Sequence, residues 1–323
     1  MWPTRRASLS DRAALENLCR AAVGSDDYVL EILDDLILRE QTFVALDDDL
    51  IIGMTTARDL VDGSAWLHAA RTRPAYRRKG VATALVQTIE GLARMKGLGA
   101  LRLWTNADNN AGVGAYRKAG FKEIGRFSRF RATAERGRTP PIAHRFVLDE
   151  DVWTELQGSP ILASGAGYVA CDYAFLPLVR GTAHLLANRG SLVRVGEDLA
   201  LVDELAFAQD VHLEITPVAG DLGRILRHGR GLAAQRGLKE VETFLPLTPG
   251  GTVAARVSGY RPVSWGQDAV LCEKLLGTST VVPRRRRTYA EIAAEKRSGY
   301  GALSRLAPGG HGHAGPHEDR WNP

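Results

Sequence analysis

Between Tyr76 and Thr83 the chain reads Tyr-Arg-Arg-Lys-Gly-Val-Ala-Thr, and an apolar 3.6-residue pattern of Val81, Leu85, Ile89 and Leu92 follows. A helix that starts there leaves its first backbone N–H groups without intrahelical partners. Gly80 and Ala82 do not cover them, so they can donate to an anion with the helix dipole behind them. Arg77, Arg78 and Lys79 add the positive charge that a pyrophosphate or ribose phosphate would meet. The chemistry this stretch could do is to hold a phosphate group; the plainer alternative is a solvated basic turn. A second stretch runs Asn109-Asn110-Ala111 and then Tyr116-Arg117-Lys118-Ala119-Gly120-Phe121. By spacing alone, Tyr116 reads as an aromatic packed under Phe121 on a helix face.

Other chemistries find less support. Cys19, Cys171 and Cys272 are far apart, lie among apolar residues and show no metal-ligand spacing. They read as buried structural thiols, and no metal is expected. The formal net charge of +5 is uneven: from Arg284 onward eight Lys/Arg face four Asp/Glu, so the rest of the chain is close to neutral. That argues against a nucleic-acid-binding core and leaves a basic tail, with Arg284 to Arg287 and no aromatic platform. No apolar run approaches the ~20 residues of a membrane span, and Met1 to Arg6 leads into an amphipathic pattern, not a signal peptide. The expectation is a cytoplasmic protein with no membrane partner.

The elements that must position these residues follow from periodicity. A strand over Thr4 to Ser8 precedes a helix capped by Ser10 or Asp11, with Leu15, Leu18, Cys19 and Val23 on its inner face. A second helix spans about Tyr28 to Leu38. Thr42 to Ala45 and Leu50 to Thr56 form a hairpin around Asp47-Asp48-Asp49. Strands at Trp66 to Thr72 and Leu101 to Thr105 flank the glycine loop and its helix, which Gly97 to Gly99 ends. A short helix runs from Asn109 or Asn110 to Ala119, and strands near Phe121 to Arg131 and Ala143 to Leu148 close the unit.

The joint order of basic glycine loop, helix, strand, Asn109, Tyr116 and Gly120-Phe121 resembles the GNAT superfamily of acyl-CoA N-acyltransferases, over roughly residues 4 to 148. The resemblance implies an α/β fold of the α+β type, with a mixed, mostly antiparallel sheet flanked by helices and a splayed strand pair. It also implies that acetyl-CoA, or another acyl-CoA, lies in the splay. Its pantetheine arm would pair with the backbone of Ala70, Arg71 and Thr72. Arg77, Arg78, Lys79, Gly80, Val81, Ala82 and Thr83 would cradle the pyrophosphate, and Asn109 would contact the cofactor. Tyr116 would sit by the sulfur and protonate the departing thiolate; an ordinary phenol, with a pKa of ~10, holds its proton at neutral pH. Where some members of the superfamily carry a glutamate base, this chain has Trp104. His68 is a candidate base, Asp59 and Asp62 read as solvated turn carboxylates, and a water relay is the alternative.

The second half reads as a worn copy of the first. Gly80 to Gly97 aligns without gaps to Gly220 to Gly237, Leu101 to Thr105 meets Val241 to Leu245, and the hairpin Thr42 to Gly53 resembles Ser191 to Val202. Pro217-Val218-Ala219 replaces the cations, Leu222 replaces Ala82, and Ala255 stands where the phenol was. The expected domains are residues 1–150, catalytic, and 165–281, a degenerate copy that walls the acceptor site. A basic, partly disordered tail follows over residues 282–323. Tandem GNAT proteins such as mycothiol synthase are similar in plan. The expected activity is transfer of an acetyl or other acyl group to a primary amine of a small molecule or peptide. The alternatives are a non-catalytic acyl-CoA-binding protein and a protein that binds partners through its tail.

Overall fold

The computed structural model describes residues 1–135, 143–207 and 210–277; the proposed tail at residues 282–323 lies outside them. The first half runs β1 (Thr4–Arg6), α1 (Arg12–Ala22), α2 (Val29–Arg39), β2 (Gln41–Asp47), β3 (Leu50–Asp59), β4 (Ser64–Thr72), α3 (Val81–Met95), β5 (Ala100–Asn106), α4 (Asn110–Lys118) and β6 (Lys122–Thr133). The middle holds β7 (Ala143–His144), α5 (Glu150–Gln157), α6 (Pro160–Ser164), the hairpin β8 (Tyr168–Cys171) and β9 (Ala174–Pro177), and α7 (Arg180–Arg189). The last stretch comprises β10 (Leu192–Val195), β11 (Asp198–Phe207), β12 (Asp210–Ala219), α8 (Leu222–Gln235), β13 (Glu240–Pro246), α9 (Pro249–Val257), β14 (Arg261–Pro262) and β15 (Ala269–Leu275). From β2 to α4 and from β10 to α9 the same order recurs: three antiparallel strands, a helix, a strand and a short helix.

The architecture is mixed α/β, and all the described strands except β8 and β9 join one sheet. Its order is β1-β2-β3-β4-β5-β15-β6-β13-β12-β11-β10-β7, with β14 also on β6. The two halves trade strands at its centre. β15 inserts between β5 and β6, pairing antiparallel with both. β6 in turn runs on to pair with β13 and β14 of the second half. This corrects the expectation that Ala143 to Leu148 closes the first unit: only Ala143–His144 is extended there, and it pairs with β10 at the far edge. Composition explains the choice. Ala269, Val270, Leu271 and Cys272 are all buried, as a central strand requires. His144 and Arg145 are exposed and suit an edge.

Helices cover both faces. α3 packs Val81, Leu85, Val86 and Ile89 against Ile52, Leu67 and Leu101. α1 and α2 bury Leu15, Leu18, Leu33 and Leu36 with Val44 and Met54 on the other face. Val23, expected on the inner face of α1, is 45% exposed because that helix ends at Ala22. The α1 entrance is also built differently from expectation: Asp11 accepts the Ser8 N–H and receives Arg5, and its side chain caps no N–H of α1 itself.

An aromatic junction joins the halves. Phe175, on β9, lies 4.4 Å from Phe127, 5.4 Å from Phe244 and 6.1 Å from Trp66, ring centre to ring centre. Such pairs contribute ~0.5–1.5 kcal/mol each beyond their burial. Arg102 on β5 is clamped between Asp62 and the β15 residue Glu273, at 2.6 Å from each. Because β15 belongs to both halves, Leu271→Ala should remove about 2–5 kcal/mol of stability. It should also keep a single unfolding transition, seen together by tryptophan fluorescence and circular dichroism in urea. Separate transitions would show that the halves unfold independently.

Candidate active site

β4 and β5 are parallel neighbours for only three residue pairs, Ser64 with Ala100, Ala65 with Leu101 and Trp66 with Arg102. Past these the two strands separate, while β4 stays paired to β3 and β5 to β15. The gap has two backbone edges without a strand between them. On the β4 side the chain is also bulged. Met54 opposes Arg71 and Thr56 opposes His68, so Ala69 and Ala70 share the place opposite Thr55, and Ala69 takes a φ of 53°. A bulge of this kind leaves one residue out of the ladder, with its backbone groups free for something else.

The basic loop lies at the mouth of this gap. After a 3-10 turn at Pro74–Tyr76, Arg78 (φ 62°) and Gly80 (φ 81°) are both left-handed, and α3 starts at Val81. Arg77, Arg78, Lys79 and Gly80 are exposed. Gly80 offers no capping side chain, so the Val81, Ala82 and Thr83 N–H groups keep their donor capacity. Several contacts fix the loop: the Trp2 indole donates to the Lys79 carbonyl (2.8 Å), Arg77 donates to the Ala22 carbonyl (2.7 Å), and the Tyr76 hydroxyl donates to Asp47 (2.7 Å). Gly53 lets α3 sit close to the sheet, since a Cβ there would lie 2.5 Å from Val81 Cγ1 and 3.1 Å from the Arg71 carbonyl.

Tyr116 is half-buried on α4, edge-on to Phe121 at 5.7 Å. The packing and the free hydroxyl coexist: among the described residues no hydrogen-bond partner takes that oxygen. Burial pushes the phenol up to about 12, with the Arg71 charge pulling the other way, so it keeps its proton well beyond neutral pH. Arg71 thus acts through its side chain as well as its backbone. It binds both Asp27 oxygens (2.7 and 2.6 Å), donates to the Ala70 carbonyl (2.9 Å) and lies over Tyr28 at 5.2 Å. It thereby fastens the start of α2 to the bulge.

The other expected residues divide. His68 meets the buried Glu40 carboxylate through Nε2, making a pair on the α2 side of β4. Asn109 caps α4, accepting the Gly112 N–H and donating to Thr105. Ala70 and Thr72 border the gap. Asp59 and Asp62 are not solvated turn carboxylates: Asp59 receives Lys96 and Gln41, and Asp62 receives Arg102 and Ser64. Both carboxylates are thus committed to ion pairs. The three thiols are buried, and burial raises each above its ordinary range, to about 12 at Cys19 and about 11 at Cys272. No cluster of metal-ligating side chains occurs among the described residues.

The second half repeats the opening but fills it. β12 and β13 are parallel only at Leu213 with Val241 and Glu214 with Glu242. Beyond them the Ser159 hydroxyl, just before α6, donates to the Val218 carbonyl. The start of α8, counterpart of α3, is capped by Asp221, while Asp198 accepts the Asp221 N–H and two Arg224 donors. The carboxylates of the chain itself therefore stand where an external anion would bind. Ala255, in place of the phenol, is fully buried.

Residues 13–121 match the acetyltransferase (GNAT) family model. That segment runs from α1 through the gap, the basic loop and Tyr116 to Phe121. No curated protein matches the chain. Solved structures share the fold over most of its length. A protein from Thermoplasma acidophilum classed as an acetyltransferase is similar at 13% identity and a TM-score of 0.57, covering 84% of this chain and 99% of that one. A GCN5-related N-acetyltransferase from Sphaerobacter thermophilus is similar at 15% identity and a TM-score of 0.55, covering 86% and 96%. The family match and the gap thus coincide in one segment.

A polar cluster behind the junction was not foreseen from the sequence. Glu242 is buried, which alone would raise its carboxyl, yet Arg129, His212 and Arg131 hold it down at about 2. Its neighbour Glu214 goes the other way. Burial raises it to about 8, helped by the Asp203, Asp172 and Glu242 carboxylates and only partly offset by the Asp172 N–H. Folded Glu214 keeps a proton that the unfolded chain loses near the ordinary value of 4.5, so its contribution to stability is full below 4.5 and declines as pH rises toward 8. Glu214→Gln should therefore melt higher than the parent at pH 8 and alike near pH 4.5. Parallel melting curves across that range would remove Glu214 as the cause.

Proposed function

We propose that the chain transfers an acyl group, most simply acetyl, from acyl-CoA to a primary amine of a small molecule or peptide. The observation that carries this reading is the coincidence, at one end of the β4–β5 gap, of an uncapped helix start behind three cations and a protonated phenol that has no hydrogen-bond partner among the described residues. The residues suit CoA. Backbone donors at Val81, Ala82 and Thr83 and the charges of Arg77, Arg78 and Lys79 match a pyrophosphate. The backbone of Ala70, Arg71 and Thr72 on the gap side of β4 matches the amides of a pantetheine arm, and Asn109 at the head of α4 is the expected further contact.

Bound acyl-CoA supplies a thioester whose carbonyl carbon accepts the amine and whose sulfur leaves with the bonding electrons. Tyr116 then has one task, to pass its hydroxyl proton to that sulfur, and its raised pKa keeps the proton available. The bulge at Ala69–Ala70 turns backbone groups into the gap, where N–H donors can meet the carbonyl oxygen as charge develops on it. The incoming amine must shed a proton. The His68–Glu40 pair on β4 is one acceptor for it, and water leading out of the gap is the alternative. The second half, its own anion site filled by Asp198 and Asp221, serves as a wall on the acceptor side and completes a tandem arrangement in which one half is catalytic.

Tyr116→Phe should keep CoA affinity, measured by calorimetry, while thiol release falls roughly a hundredfold or more; unchanged turnover would take Tyr116 out of the mechanism. In the parent, turnover should hold through the pH range where an ordinary phenol, pKa ~10, would be half ionised. Reversing the charge of Arg77 and Arg78 should weaken CoA binding at least tenfold, more so at low ionic strength. Unchanged affinity would move the pyrophosphate elsewhere. Trp104, in place of a glutamate base, favours a second reading. A protein that binds acetyl-CoA tightly but releases no thiol with any amine would be an acyl-CoA-binding protein.

A further inference from the structure

The acceptor side of the gap is roofed by the other half of the chain. The loop from Val263 to Asp268, between β14 and β15, crosses over β5 and brings Trp265 against Trp104, 4.4 Å between ring centres, and against Tyr28 at the head of α2, at 5.8 Å. The loop is rigidly held. Gly266 N–H donates to Asn106 (2.9 Å), the Gly266 carbonyl accepts the Arg129 N–H (2.7 Å), and the Asp268 carbonyl accepts the Ala107 N–H (2.9 Å). Gly266 has a φ of 97°, and a Cβ there would come to 3.0 Å from Arg129 Cβ and 3.4 Å from the Trp104 ring. Only glycine lets the loop lie this close. Trp265 nonetheless stays 37% exposed, and Trp104 and Tyr28 are half-buried. The result is an aromatic wall that leads from solvent to Arg71, whose charge is felt at Tyr116.

Three ion pairs border this wall. Arg71 binds both oxygens of Asp27, Glu40 meets His68, and Arg129, lying over Trp265 at 5.3 Å, binds Glu242. A second ammonium on the acceptor would compete with Arg71 or Arg129 for a carboxylate it already holds, and an acceptor carboxylate would compete with Asp27 or Glu242 for a guanidinium. A flat apolar body disturbs none of these pairs and gains the wall.

Resting on the acyl-transfer reading, we infer that the acceptor is an amine carrying a planar apolar body, an arylalkylamine and not a polyamine or amino sugar, and that Trp265 determines this specificity. The test uses the full chain with acetyl-CoA and three amines: phenylethylamine, spermidine and kanamycin. Expected is a kcat/KM for phenylethylamine at least tenfold above the other two. Trp265→Ala should raise its KM at least tenfold without changing kcat or CoA affinity, and Trp265→Phe should restore most of the loss. A preference for spermidine or kanamycin, or a KM for phenylethylamine indifferent to Trp265→Ala, overturns the inference. Calorimetry with CoA separates the two levels. Binding of CoA without binding of phenylethylamine to the CoA-loaded protein sinks this inference alone, whereas absence of CoA binding sinks the acyl-transfer reading beneath it.

Discussion

The constraint on which the rest depends is the brevity of one parallel pairing. β4 and β5 exchange hydrogen bonds only from Ser64 to Trp66 and then part. Backbone donors and acceptors seldom remain unpaired in a protein interior, so a sheet that opens this way must have those groups met by side chains, water or a ligand. Each strand is held open from its outer side, β4 by β3 and β5 by β15, and neither can swing across to close the space. The bulge at Ala69–Ala70, the glycine at position 53 and the uncapped start of α3 are all arranged around that opening.

The two halves answer the same constraint differently. In the first, the helix start faces solvent with Arg77, Arg78 and Lys79 beside it. In the second, Ser159 ties off the edge carbonyl of Val218, while Asp198 accepts the Asp221 N–H and Asp221 the Arg224 N–H at the start of α8. A group satisfied within the chain gains nothing from a ligand, and by that measure the second opening is closed to one and the first is not. Similarity of element order alone would not separate them; the satisfaction of particular N–H and C=O groups does.

What could be read in the sequence was what is local. The basic loop, Gly80, the apolar face of α3, and the spacing of Asn109, Tyr116 and Phe121 all act within a few turns of chain, so periodicity and residue type disclose them. The partners of Arg102, Asp62 and Glu273, lie 40 and 171 residues away, and no spacing rule links them. The same distance hid the insertion of β15 and made Ala143 to Leu148 look like the closing strand. It hid the commitment of Asp59 and Asp62 to ion pairs, and it hid Trp265, whose partners Tyr28 and Trp104 belong to the other half. Val23 was misplaced for a simpler reason, since periodicity fixes a helix face better than it fixes the last residue of the helix.

The traded strand also sets a schedule for biosynthesis. The open edge of β5 ends at Asn106, and the strand that covers it begins at Ala269. Roughly 160 residues must be made in between, which at ~5–20 residues per second takes on the order of 10–30 s. For that interval the nascent first half carries an apolar strand with an uncovered edge, the kind of surface that chaperones at the ribosome exit recognise. The first half is therefore finished only when the last described strand, β15, has emerged.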